Sequence, residues 1–131
     1  MMRLNEILQY FKASDVGFAN YYIGRMNTIK DNSLGIYNLR GTTGEYMAIG
    51  GEACTKSKNK YLSLLVHGNK NKVQTETLAY NLYDFLLHVR GAKVGEHEIN
   101  YIRLLSNEPI DVDMDEQGVY EYVIELQLYY T

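Results

Sequence analysis

The sequence predicts one α+β domain spanning residues 1–131, with a mixed, mostly antiparallel sheet and two main helices packed on one face. Two helical patterns and several strand patterns follow one another without a linker, in 131 residues that contain a single proline. A chain of that length forms one hydrophobic core. The charged fraction is 22% and the net charge is −3, so the chain as a whole does not attract nucleic acid or anionic membranes.

The clearest strand pattern closes the chain, between Val119 and Tyr130. One face of this strand is apolar or aromatic and comprises Tyr120, Tyr122, Ile124, Leu126, Leu128 and Tyr130. The other face carries Glu121, Glu125 and Gln127. Such alternation predicts a long strand with one covered face and one largely wet face.

The strongest helical pattern extends from Val73 to Val89. Its apolar positions recur at helical spacing and are Leu78, Leu82, Phe85, Leu86 and Val89. Gly91 is predicted as the residue that ends this helix, with Arg90 favourable near the negative helix terminus. A shorter amphipathic helix is predicted over Leu4–Phe11.

Shorter strands are predicted around these elements, at Asn20–Met26, Leu34–Leu39, Glu45–Ile49, Tyr61–His67 and Ile99–Leu105. Polar loops or turns are predicted at Lys56–Lys60, Gly68–Lys72 and Asn107–Gly118. Turn-forming residues in Thr28–Ser33 indicate that the first two strands form a hairpin.

The acidic run with Asp111, Asp113 and Asp115 resembles the first part of a calcium-binding loop. Glu116 stands where that loop needs glycine, and Tyr122 stands where it needs a bidentate glutamate. We therefore interpret the run as a solvated turn and predict no metal site there.

The histidines and the cysteine do not have the sequence spacing that is typical of catalytic or metal-binding sites. His67, His88 and His97 have no shared-ligand spacing and are expected at the surface or its boundary. Cys54, the only cysteine, has no local general base and cannot form an internal disulfide. We predict no catalytic residues, no metal and no cofactor, hence no enzyme. No secretory signal and no membrane-spanning segment are predicted either.

Two charged sets are candidates for contact with partners. The basic set flanks the Tyr61–His67 strand, at neighbouring ends of a sheet, and comprises Lys56, Lys58, Lys60, Lys70 and Lys72. The acidic set is Asp111, Asp113 and Asp115. Both sets fit plain solvated loops as well. The 13 tyrosines, against 3 phenylalanines and no tryptophan, fit either a protein interface or strand propensity.

The order of segments resembles the minor capsid or tail-terminator proteins of tailed phages and prophages of Gram-positive bacteria. The segments that carry the resemblance are Asn20–Gly24, Leu34–Asn38, Ala48–Gly51, Leu64–His67, Glu108–Val112 and Gly118–Glu125. They cover nearly the whole chain together with the long helix, although no single motif is diagnostic.

The resemblance implies a small structural protein that forms a ring, typically a hexamer, at the head-proximal end of the tail. Such a ring stops polymerisation of the tail-tube protein and presents a surface to the head-completion or connector protein. DNA only passes through its lumen, and no membrane is involved. The protein would be made and assembled in the bacterial host cytoplasm and would reside in the virion. The alternative is a small α+β binding module for nucleic acid or another protein.

Ring formation needs head-to-tail contacts between identical subunits. Exposed strand edges make such contacts by adding to a neighbour's sheet. The predicted Asn20–Leu39 hairpin and the long C-terminal strand are the expected contact elements. The acidic turn Asp111–Glu116 is expected either to line the lumen or to meet a basic partner.

Overall fold

The computed structural model describes residues 2–24, 30–39 and 58–131. Within these ranges the chain forms two helices and seven strands. In chain order they are α1 (Leu4–Ser14), β1 (Asn20–Ile23), β2 (Ser33–Asn38), β3 (Lys58–His67), α2 (Lys72–Leu87), β4 (Arg90–Val94), β5 (His97–Leu104), β6 (Ile110–Met114) and β7 (Tyr120–Tyr130). The strand order is β1-β2-β3-β7-β5-β4, and β6 also pairs with β7. Only β1 and β2 are parallel among these pairs, which confirms a mixed, mostly antiparallel sheet.

The predicted C-terminal strand is the centre of this sheet. β3 pairs along one edge of β7, from the Lys58–Tyr130 pair to the His67–Glu121 pair. β5 and β6 therefore share the other edge of β7. The face of β7 that was predicted to be covered is buried from Tyr122 onward.

Both helices pack on that covered face, as predicted. The Tyr122 hydroxyl donates to the Glu76 carboxylate of α2 at 3.5 Å. The Tyr130 hydroxyl accepts a hydrogen bond from the backbone N–H of Met2, just before α1, at 3.2 Å. The rings of Phe11 and Phe85 meet edge to face at 6.4 Å and join the two helices within one core.

The opposite face of β7 is half-buried, so the prediction of a largely wet face was wrong. Long side chains of the adjacent strand lie over it. The ring of Tyr101 stacks on Tyr129 with 4.5 Å between centroids. The Arg103 guanidinium donates to the Gln127 side chain at 3.2 Å, and Gln127 is only 5% exposed. Alternation in one strand identifies its faces but not what neighbouring strands place over them.

The helix ends differ from the prediction by short distances. α1 continues to Ser14 and ends at Asp15, whose φ of 51° is left-handed. α2 ends at Leu87, so Gly91 does not terminate it; Gly91 lies inside β4 with φ +63°. Arg90 does act on the carbonyl end of the helix, because its guanidinium donates to the carbonyl of Leu87 at 3.2 Å.

The predicted hairpin does not form, because β1 and β2 run parallel. The carbonyl of the turn residue Asn32 accepts hydrogen bonds from the N–H groups of Ala19 at 2.8 Å and Asn20 at 3.4 Å. The turn residue therefore lies beside the beginning of β1, not beside its end. The nine residues between β1 and β2 exceed the two-residue loop that defines a tight hairpin, so turn-forming residues alone did not determine the pairing direction.

Three strand assignments were missed or misplaced by the sequence. Lys58–Lys60, predicted as loop, begins β3. β4 was not predicted, and β6 lies within the predicted loop Asn107–Gly118. The predicted strand Glu45–Ile49 falls outside the described residues. Nine of the 13 tyrosines lie in strands, three lie in helices and Tyr46 is not described, which agrees with strand propensity.

Candidate interaction surface

β6 is the most exposed strand of the described structure. Every one of its residues is exposed, including three apolar ones: Ile110 at 39%, Val112 at 44% and Met114 at 52%. It pairs with β7 on one edge, and no described strand pairs with its other edge. A strand with a free edge and exposed apolar side chains is a site where another chain can add.

This position corrects the expectation that the long C-terminal strand would make the contact. β7 is paired on both edges, so it cannot accept a neighbour's strand. Among the described strands, β1 ends the sheet on one side, whereas β4 and β6 end it on the other. Of the predicted hairpin, only β1 lies at an edge.

A cleft of about 450 Å³ continues the exposed surface of β6 toward α2. Tyr80 lines it, is 42% exposed, and donates its hydroxyl to the Glu108 carboxylate at 3.3 Å. The pKa of Tyr80 is raised, mainly by desolvation, and the negative charge of Glu108 raises it further. β6 and this cleft together, termed the β6 surface below, combine apolar, aromatic and acidic groups.

Two of the predicted contact residues bind each other. The ammonium of Lys72, in the first turn of α2, forms an ion pair with the carboxylate of Asp111 in β6. The same ammonium lies 5.1 Å from the ring centre of Tyr120 and 5.0 Å from that of Tyr122. The hydrogen bond to Asp111 raises the pKa of Lys72 to about 12 and lowers that of Asp111. These charges therefore serve first to hold β6 against α2.

The other two aspartates shape the turn between β6 and β7. Asp113 has a left-handed φ of 66°, and its N–H donates to the Asp111 carboxylate at 2.8 Å. Asp115 accepts hydrogen bonds on Oδ1 from the N–H groups of Gln117 at 2.9 Å and Val119 at 3.0 Å. The side-chain bonds of Asp115 explain why the chain turns here.

The second oxygen of Asp115 belongs to a cluster that sequence reasoning missed. His67 is fully buried, contrary to the expectation of a surface or boundary position. Its Nδ1 lies 2.7 Å from Glu121 Oε2 and 3.8 Å from Asp115 Oδ2. Among the described residues, this is the only group of three His, Cys, Asp or Glu side chains whose possible ligand atoms all lie within 4.8 Å of one another. The residues meet because β3 pairs with β7, a register that spacing along the chain does not reveal.

The basic residues do not form one patch. Lys58 and Lys60 begin β3, beside Tyr130 and Leu128 of β7, whereas Lys70 follows the other end of β3. β3 has ten residues, which span about 30 Å. The expectation that these lysines lie at neighbouring ends was therefore wrong, because the strand between them is fully extended. Lys56 falls outside the described residues.

Comparison with known proteins assigns the family. No helix in the described ranges is long and apolar enough to cross a membrane. No curated protein matches the chain. A family model described as bacteriophage tail terminator protein matches residues 3–131, which is almost the whole chain. The chain therefore belongs to the bacteriophage tail terminator family and is a structural protein of the phage virion, where it interacts with tail and head components.

Proposed function

We propose that this protein forms a hexameric ring at the head-proximal end of the tail. The ring stops polymerisation of the tail-tube protein and joins the tail to the head-completion or connector protein. DNA passes through its lumen at ejection. The role involves no catalysis and no cofactor, and assembly takes place in the bacterial host cytoplasm. The observation that carries this proposal is the family match over residues 3–131.

The arrangement of sheet edges supports a ring. A head-to-tail interface joins two different patches of the same chain, and its repetition gives a ring when the rotation between copies closes. The sheet offers two such patches within the described residues, since β1 ends it on one side and β6 on the other. We assign the subunit contact to β6 of one copy and the β1 side of the next.

The side chains at these two edges are suited to such a contact. Val112 and Met114 of β6 are 44% and 52% exposed. Ile23 of β1 is 39% exposed, and its neighbour Tyr22 is half-buried. Burying these side chains against each other removes apolar surface from water and leaves the strand edge free to form backbone hydrogen bonds.

The lysines at the two ends of β3 are assigned to the partners above and below the ring. Lys58 and Lys60 lie at one end of the strand and the exposed Lys70 lies beyond the other. β3 therefore has lysines near both of its ends, and we assign these to contacts with acidic partner surfaces. The exposed Asp113 of β6 and the exposed Glu116 of the following turn are assigned to the lumen or to a basic partner.

A pair of matched substitutions tests the β6 contact. Val112→Lys places a charge on the β6 edge, and Leu87→Lys makes the same change in charge at the end of α2. The two parent side chains are 44% and 45% exposed. Light scattering with and without tail-tube and connector proteins measures the assembled mass. We expect the wild type and Leu87→Lys to assemble and Val112→Lys to remain monomeric with an unchanged circular dichroism spectrum.

Normal assembly of Val112→Lys would contradict the assigned contact. A wild-type protein that stays monomeric and ignores both partners would contradict the ring itself. Tight, salt-dependent binding to nucleic acid would favour the alternative, a binding module.

A further inference from the structure

We propose that His67, Asp115 and Glu121 form a binding site for one divalent transition-metal ion, for which Zn²⁺ is the probe. The three residues come from three places in the fold. His67 ends β3, Asp115 opens the turn between β6 and β7, and Glu121 lies near the start of β7. An ion bound here would tie the β6–β7 turn to the centre of the sheet.

The distances between the ligand atoms fit one ion. Zn²⁺ binds imidazole nitrogen and carboxylate oxygen at about 2.0–2.2 Å, which separates neighbouring tetrahedral ligands by roughly 3.4 Å. His67 Nδ1 lies 2.7 Å from Glu121 Oε2 and 3.8 Å from Asp115 Oδ2, so the observed distances lie on either side of that value. All three ligand atoms lie within 4.8 Å of one another. Moving Glu121 Oε2 away from His67 Nδ1 by about 0.7 Å and Asp115 Oδ2 toward it by about 0.4 Å would bring both distances to that value.

The surroundings hold the ligands in place. The Oδ1 atom of Asp115 accepts two backbone hydrogen bonds, from Gln117 and Val119, so its Oδ2 atom is directed toward His67. Such bonds to the far side of a ligand orient it and strengthen metal sites. The His67 side chain is 0% exposed, whereas those of Asp115 and Glu121 are 17% and 18% exposed. The carboxylate side is therefore open to an entering ion and to a water molecule as fourth ligand.

The charge of the cluster also favours a cation. With His67 neutral, the two carboxylates place two negative charges around a buried ring. A proton on the imidazole compensates one of them, and a divalent ion compensates both. Binding needs Nδ1 free of a proton: an imidazolium would release its Nδ1 proton to solvent, whereas a neutral ring would keep its one proton on Nε2.

Zinc titration of the whole chain, stripped with a chelator, tests the site. Isothermal titration calorimetry gives the stoichiometry and the affinity, and Co²⁺ absorption in the visible range reports the ligand geometry. Asp115→Asn keeps the Oδ1 acceptor of the turn, and Glu121→Gln keeps an acceptor for His67, so both variants are expected to fold. Asp84→Asn is the matched control, because Asp84 Oδ1 also lies 3.8 Å from a histidine, the exposed His88.

We expect one equivalent of Zn²⁺ in the wild type and in Asp84→Asn, and binding at least about tenfold weaker in each of the other two variants. The midpoint of thermal unfolding should rise with zinc only where the site is intact. If the wild type shows no saturable zinc binding, or if all variants bind zinc equally, the proposal is overturned. The cluster would then be an ion pair with hydrogen bonds. The consequence that the ion steadies β6 for ring contact rests on the proposed function, whereas zinc binding by the isolated chain does not.

Discussion

Replacement of Tyr130 by phenylalanine tests how the two chain ends are joined. The Tyr130 side chain is 0% exposed, and its hydroxyl accepts a hydrogen bond from the N–H of Met2, itself 0% exposed. Tyr130→Phe keeps the ring, which packs edge to face on His97 at 5.3 Å, and removes only the acceptor. The buried N–H of Met2 would then lack this partner, which costs about 1–3 kcal/mol.

For a chain of this size, a loss of about 1.5 kcal/mol lowers the midpoint of thermal unfolding by about 5 °C. Urea denaturation followed by circular dichroism measures the free energy of unfolding directly. Tyr129→Phe is the matched control, because this neighbour lies on the opposite face and is half-buried; we expect less than about 0.5 kcal/mol there. Equal, small effects of the two substitutions would refute the account of the N-terminal segment docking on β7.

Two further predictions concern the start of α2. Gly68→Ala should destabilise the fold by about 1–3 kcal/mol in urea denaturation, because the added Cβ would lie 2.2 Å from the Oγ1 atom of the buried Thr75; unchanged stability would contradict this close packing. The hydrogen bond from Lys72 lowers the pKa of Asp111 below 3.8 in the folded protein. Their pairing therefore stabilises the fold at pH values above the pKa of Asp111 in the unfolded chain, and this stabilisation is lost as the pH falls through the lower pKa of the folded protein. Lys72→Met should raise that pKa in an NMR titration of the carboxyl carbon, and an unchanged titration would contradict the ion pair.

The sequence predicted the elements whose signal lies in one continuous segment. The alternation from Tyr120 to Tyr130 identified β7 and its buried face. Leu82 and Leu86 were predicted on the apolar side of α2, and both are buried. These patterns arise because burial of one face repeats with the period of the element itself.

Features that depend on pairing between distant segments were not predictable in this way. β1 and β2 are parallel because the carbonyl of Asn32 accepts hydrogen bonds at the beginning of β1, and the preference of Asn32 for turns does not reveal this contact. β6 was missed because Asp111 and Asp113 give it the composition of a loop, and its pairing with β7 and the ion pair with Lys72 hold it as a strand.

For the charged residues too, the sequence revealed their positions along the chain but not their contacts with distant segments. Sequence spacing suggested that the acidic and basic residues face outward to partners, yet Lys72 and Asp111 pair within the chain. The cluster around His67 depends on the register of β3 against β7, which places Glu121 opposite it. A single sequence carries no local signal for that contact.

Termination of tube growth is the central claim, and electron microscopy of tail tubes tests it most directly. Purified tail-tube protein polymerises in the presence and absence of this chain, and the tube lengths and tube ends are compared. The account predicts short tubes that carry an added ring at one end and no longer elongate. Tubes of unchanged length with bare ends, from a folded protein at saturating concentration, would contradict it.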